Sequence, residues 1–84
     1  MNNAHKKTLK LIFSNPVPAA LEWHKIEALF ATLGAQIVEG NGSRVAFVIN
    51  NHRADFHRPY TGKEAKRYQV RLARDFLTSI GVSP

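Results

Sequence analysis

The run from Arg44 to His57 constrains the fold more than any other part of the chain. In Arg44-Val45-Ala46-Phe47-Val48-Ile49 the apolar residues Val45, Phe47 and Ile49 fall on alternate positions, the pattern of a half-buried strand. Asn50-Asn51 marks a tight turn. Arg53-Ala54-Asp55-Phe56-His57 then alternates again, with Ala54 and Phe56 on one side and Arg53, Asp55 and His57 on the other. Upstream, Ala35-Gln36-Ile37-Val38-Glu39 is short and β-prone, and Gly40-Asn41-Gly42-Ser43 supplies a second turn. Three strands joined by two short turns predict an antiparallel meander.

Helical periodicity flanks this unit. Trp23, Ile26, Leu29, Phe30 and Leu33 repeat at helical spacing, and Gly34 is a natural stop, so a helix is expected over roughly 21–33 with Glu22 in its first turn. Glu64 to about Ile80 reads as the last helix. Its apolar stripe is expected at Tyr68, Leu72, Phe76 and Ile80, widened by Leu77, and Gly81 ends it. A shorter stripe at Leu9, Ile12 and Phe13 predicts a small helix before Ser14-Asn15-Pro16-Val17-Pro18, where two prolines favour an extended linker. The order is helix, helix, strand, strand, strand, helix. The chain is expected to be an α+β domain whose three-stranded antiparallel sheet packs on the second and last helices. The other sheet face stays partly open and carries Arg44, Arg53, Asp55 and His57. At 84 residues the chain holds one small domain with a thin core.

Charge is distributed unevenly. Of the 12 Lys and Arg residues, eight lie between positions 44 and 74, against only two acids in that stretch, Asp55 and Glu64. A localised, Arg-rich basic field favours a polyanion, because each neutralised phosphate releases counterions. A solvated basic face without a partner is the plain alternative. The absence of cysteine excludes a disulfide framework, a Cys-type zinc site and a thiol nucleophile. No apolar run approaches the ~20 residues of a membrane span, and no apolar segment of signal-peptide length follows Met1–Lys7, so a soluble, cytoplasmic protein is expected.

The four histidines, His5, His24, His52 and His57, have no zinc-motif spacing, and neither a metal nor a cofactor is expected. His5 and His24 read as surface residues and His52 as a turn residue. His57 closes an outward strand face, beside Arg58 and two positions from Asp55, so a carboxylate–imidazole contact is sterically reasonable. Imidazole titrates near neutrality and transfers protons in general acid–base catalysis. RNA carries its own nucleophile, the 2′-hydroxyl, so its cleavage needs a base, an acid and a cation near the phosphate. His57 with Arg44, Arg53 or Arg58 meets that need. A strand-edge histidine that only contacts phosphate or solvent is the competing reading. Tyr60 is a candidate base-stacking group, whereas Phe47 reads as core.

Several stretches together resemble the HicA toxins, the small basic toxins of HicA–HicB toxin–antitoxin modules. They are Leu33-Gly34-Ala35, Glu39-Gly40-Asn41-Gly42-Ser43, two short strands, a basic loop, and a final helix closing in Ile80-Gly81-Val82. The resemblance covers roughly residues 20–82, leaving 1–19 as an N-terminal extension with a short helix and a Pro-containing linker. It implies a double-stranded-RNA-binding-like α-β-β-β-α fold, mRNA cleavage and neutralisation by a HicB-type antitoxin. The Gly-Ser of the family's Gly-Ser-His motif falls on Gly42-Ser43, and the family's catalytic histidine position is occupied by Arg44. His57 is therefore the expected catalytic residue, read from the strand pattern and not from the motif. Gly42, Ser43, Arg44, Arg53, Arg58, Tyr60, Lys63, Lys66, Arg67 and Arg71 are the expected RNA-binding residues. The alternatives are a nucleic-acid-binding module without catalysis and a protein-interaction domain for an acidic partner.

Overall fold

A computed structural model describes residues 1–60 and 62–84, so Thr61, between the third expected strand and the last expected helix, lies outside the described residues. The elements are α1 (Asn3–Ile12), α2 (Trp23–Thr32), β1 (Gln36–Glu39), β2 (Arg44–Ile49), β3 (His52–His57) and α3 (Arg67–Ser79). The strands form one antiparallel sheet in the order β1-β2-β3. The α+β order α-β-β-β-α, preceded by one further helix, is the architecture the sequence predicts.

Turn chemistry sets the register. Asn50 and Asn51 have φ of 51° and 65°. Left-handed conformation at both central residues matches the twist of a two-residue hairpin. Val45 then faces Phe56 and Phe47 faces Ala54 across the ladder. His52, expected in the turn, is the first residue of β3 and pairs with Ile49. Between β1 and β2, a Cβ on Gly40 would lie 3.0 Å from the Arg44 Cβ. That close approach leaves no room for a side chain without moving Arg44.

One sheet face is closed by the helices. Val45, Phe47 and Phe56 are buried there with Trp23, Ile26, Leu29 and Phe30 of α2 and Val70, Ala73, Phe76 and Leu77 of α3. Phe30 is the hub. Its ring meets Phe47 at 4.9 Å and Phe76 at 5.1 Å, both edge-on, an arrangement favoured by the aromatic quadrupole. Leu9 and Ile12 of α1 join the same core. Arg74 of α3 ties α1 down, donating from Nε to the Ile12 carbonyl at 3.0 Å and from Nη2 to the Ser14 carbonyl at 2.8 Å. A cation there suits the negative end of the α1 dipole.

Three expectations shift. Helix α1 starts at Asn3, capped by the Asn2 side chain, which accepts the His5 N–H at 2.8 Å. His5 is thus helical, with Nε2 3.0 Å from Thr32 Oγ1. Helices α2 and α3 start later than predicted because the segments before them pair with each other. The Trp23 N–H donates to the Lys63 carbonyl at 2.8 Å and the Ala65 N–H to the Leu21 carbonyl at 2.7 Å. Finally, the α3 stripe is rotated. Phe76 and Leu77 are buried as expected, but Tyr68 and Leu72 are 52% and 43% exposed, and Gln69, Val70 and Ala73 are buried in their place.

Candidate nucleic-acid interface

Strand alternation divides the basic half of the chain between two faces. Val45, Phe47 and Phe56 point to the helices, so Arg44 of β2 and Arg53, Asp55 and His57 of β3 lie on the open face. Arg44 and His57 are direct cross-strand partners. The Arg58 N–H donates to the Ser43 carbonyl at 2.8 Å. That bond marks Arg44–His57 as a pair without mutual backbone bonds, the closer of the two antiparallel pairings, with Cα atoms about 4.5 Å apart. Both side chains are exposed. Ser43 joins them, with Oγ 3.4 Å from His57 Nδ1. A depression of about 260 Å³ on this face is lined by Val38, Gly40, Asn41, Arg44, Ala46, Arg53 and Asp55, among others.

The expected Asp55–His57 contact does not form. Asp55 instead accepts from Arg53, at 3.1 Å from Nη2 and 3.2 Å from Nε to Oδ1. Asp55 has a neighbour two residues away on each side, and the permanent charge and two-nitrogen geometry of Arg53 outcompete a histidine.

Arg58 is also placed differently from expectation. One residue after His57, its side chain goes to the helix side. There Nε and Nη2 donate to Glu27 at 3.0 and 3.1 Å, and Nη1 and Nη2 donate to Glu39 at 2.7 and 3.0 Å. Glu27 is itself held by the indole N–H of Trp23 at 2.9 Å. The hydrogen bonds to Glu39 and then Glu27 raise the Arg58 pKa far above its ordinary value. The Arg58 hydrogen bond likewise lowers the Glu39 pKa, against a smaller opposing desolvation. Arg58 is committed to joining α2, β1 and the end of β3.

The remaining candidates lie in the β1–β2 turn, in the β3–α3 connection and at the start of α3. Gly42 sits in the β1–β2 turn at φ 62°, directly before Ser43. Lys66 and Arg67 open α3, and Arg71 follows one turn later, all exposed. Lys63 has its carbonyl tied to Trp23 and its side chain exposed, and Tyr60 is 95% exposed. Among the described residues, Arg44, Lys63, Lys66, Arg67 and Arg71 have no ion-pair partner. Gln69 was not singled out from the sequence. It is 3% exposed, its Oε1 accepts the Lys66 N–H at 3.0 Å, and its Nε2 donates to the His57 carbonyl. The start of α3 is thereby fastened to the end of β3. A glutamine in a basic helix gives no sequence signal of such a role. Phe47 is fully buried, as expected for core.

Comparison with known families adds the decisive observation. The family described as "HicA toxin of bacterial toxin-antitoxin" matches residues 23–81, more than half of the chain. This chain belongs to the HicA toxin family. It is accordingly a toxin of the toxin–antitoxin type. No curated protein and no solved structure matches the chain. The HicA match begins at the first residue of α2 and spans the sheet and α3, so it contains the whole constellation around His57 and leaves α1 outside. Among the described residues no helix of this HicA chain is long and apolar enough to cross a membrane, and no group of three or more His, Asp or Glu could hold a metal ion.

Proposed function

We propose that this HicA-family chain binds mRNA on the open face of its sheet and cleaves it without a metal, with His57 as the proton-transfer group. A HicB-type antitoxin would silence it. One observation carries the reading: His57 stands directly across the ladder from Arg44, the position given to the catalytic histidine by the resemblance. His57 thus puts a histidine on the neighbouring strand, beside the position where the resemblance expects one.

The chemistry follows from that pairing. The 2′-hydroxyl of one nucleotide attacks its own 3′-phosphate. A base removes the 2′-proton, the bond to the 5′-oxygen of the next nucleotide breaks, and an acid protonates that leaving oxygen. The products are a 2′,3′-cyclic phosphate and a 5′-hydroxyl. His57 serves one of the two proton transfers and solvent water the other. Arg44 neutralises the charge that develops on the phosphoryl oxygens. Ser43 Oγ at Nδ1 restrains the ring and leaves Nε2 for substrate. Lys63, Lys66, Arg67 and Arg71 hold the flanking phosphates, and Tyr60 stacks on a base.

Incubation of full-length protein with RNA tests this reading. Wild type is expected to yield fragments with 2′,3′-cyclic ends, and His57→Ala to slow the reaction by about 10²–10⁴-fold, the usual contribution of one acid–base group. Unchanged cleavage by His57→Ala would refute the assignment. Arg44 in place of the motif histidine favours a second reading, RNA binding without cutting. Salt-sensitive binding of RNA that stays intact would select it.

A further inference from the structure

His57 ends an edge strand. The last residue of such a strand has neighbours on one side only, and strand ends fray at low free-energy cost. A group that transfers protons must be held much more closely than that. Two contacts fall on this residue and a third set on its neighbour. Ser43 Oγ lies 3.4 Å from its Nδ1. The next residue, Arg58, is bonded through its N–H to Ser43 and through its guanidinium to Glu27 and Glu39. On the outer edge of the sheet, the Gln69 Nε2 donates to the His57 carbonyl.

We infer that Gln69 is a positioning residue for His57, acting from α3 as a stand-in for the missing neighbouring strand. This rests on the reading of His57 as the proton-transfer group. The geometry singles out glutamine. The amide is 3% exposed and both its ends are occupied, Oε1 by the Lys66 N–H and Nε2 by the His57 carbonyl. An acceptor and a donor are required at once, so the amide has one orientation. It links the helix cap to the strand end in one rigid connection. Because it is buried, water does not replace the donor once it is lost.

Gln69→Glu separates the two bonds. One carboxylate oxygen still accepts the Lys66 N–H, and a negative charge in the first turn of α3 suits the helix dipole. The carboxylate has no proton for the His57 carbonyl, so the clamp opens while the cap persists. In the isotope-labelled full-length protein, NMR should detect scalar coupling across the Gln69 side-chain N–H to the His57 carbonyl. Gln69→Glu should abolish it and move the His57 ring resonances, leaving those of His24 and His52 in place. With RNA as substrate, kcat should fall roughly 10–100-fold, as expected for a displaced catalytic group, with KM nearly unchanged. Gln69→Asn keeps the amide but shortens its reach, and serves the same measurements if Gln69→Glu does not fold. No coupling in the wild type, or unmoved His57 resonances in the variant, would overturn the inference. A wild type that leaves RNA intact would instead overturn the cleavage reading, and the coupling and ring resonances would still decide the role of Gln69.

Discussion

His57 and Arg58 are consecutive residues with opposite fates. The first lies on the open sheet face, exposed, with a serine hydroxyl at its ring. The second lies toward the helices, where its guanidinium makes bonds to two carboxylates. The same contrast extends across the sheet. On one side Phe30 gathers Phe47, Phe56 and Phe76 into a closed core. On the other, Arg44 and His57 share a cross-strand pair open to solvent. A strand period of two assigns neighbouring residues to different physical tasks. The basic charge of the C-terminal half is therefore a mixture: some cations stabilise the fold and others are available to a partner.

Perturbing the closed side should be felt in stability. The largest effect is expected for Phe30→Ala, about 3–5 kcal/mol by denaturant unfolding, because a fully buried ring at the centre of the cluster is removed. A loss below 1 kcal/mol would mean that the aromatic cluster does not organise the core. Arg58→Ala comes next, at about 1–3 kcal/mol, less than a fully buried pair because the guanidinium side chain is 30% exposed. Equal melting of Arg58→Ala and wild type would erase the distinction between the two neighbours.

The smallest of these effects is pH-dependent. The Glu39 pKa is lowered from 4.5 in the folded protein, chiefly by its hydrogen bond from Arg58. A lowered carboxyl pKa stabilises the fold above the unfolded value, and that contribution is lost as pH falls through the folded pKa. Glu39→Gln should therefore melt below wild type at neutral pH, and the gap should close as pH drops through and below 4.5. A gap that widens on acidification would contradict the ion-pair account.

Much of this division is legible in the sequence. Alternation over 44–49 and 53–57 assigns Arg44, Arg53, Asp55 and His57 to one face, and Asn50-Asn51 fixes the hairpin that brings Arg44 opposite His57. Local patterns carry that much because turn and strand are decided by near neighbours. The commitment of Arg58 depends on Glu27 and Glu39, 31 and 19 residues away, and no spacing rule links them. The pairing of Leu21–Trp23 with Lys63–Ala65 is equally non-local, and it explains why both helices begin later than their periodicity suggests. In α3 the stripe through Tyr68 and Leu72 is the more hydrophobic choice. Ala73 and Gln69 take the inward face, where the Gln69 amide finds partners in the Lys66 N–H and the His57 carbonyl. Gln69 was hidden for that reason.

The central claim is that the open face together with the start of α3, and not the α2–β1 side, meets RNA. Chemical-shift mapping with a short 2′-O-methyl RNA, which lacks the attacking hydroxyl, tests it directly. The account predicts that added RNA moves the resonances of Ser43, Arg44, His57, Lys66 and Arg67 and leaves Glu27, Ile37, Glu39 and the Arg58 side chain in place. Shifts confined to the α2–β1 side, or none at Arg44 and His57, would contradict it.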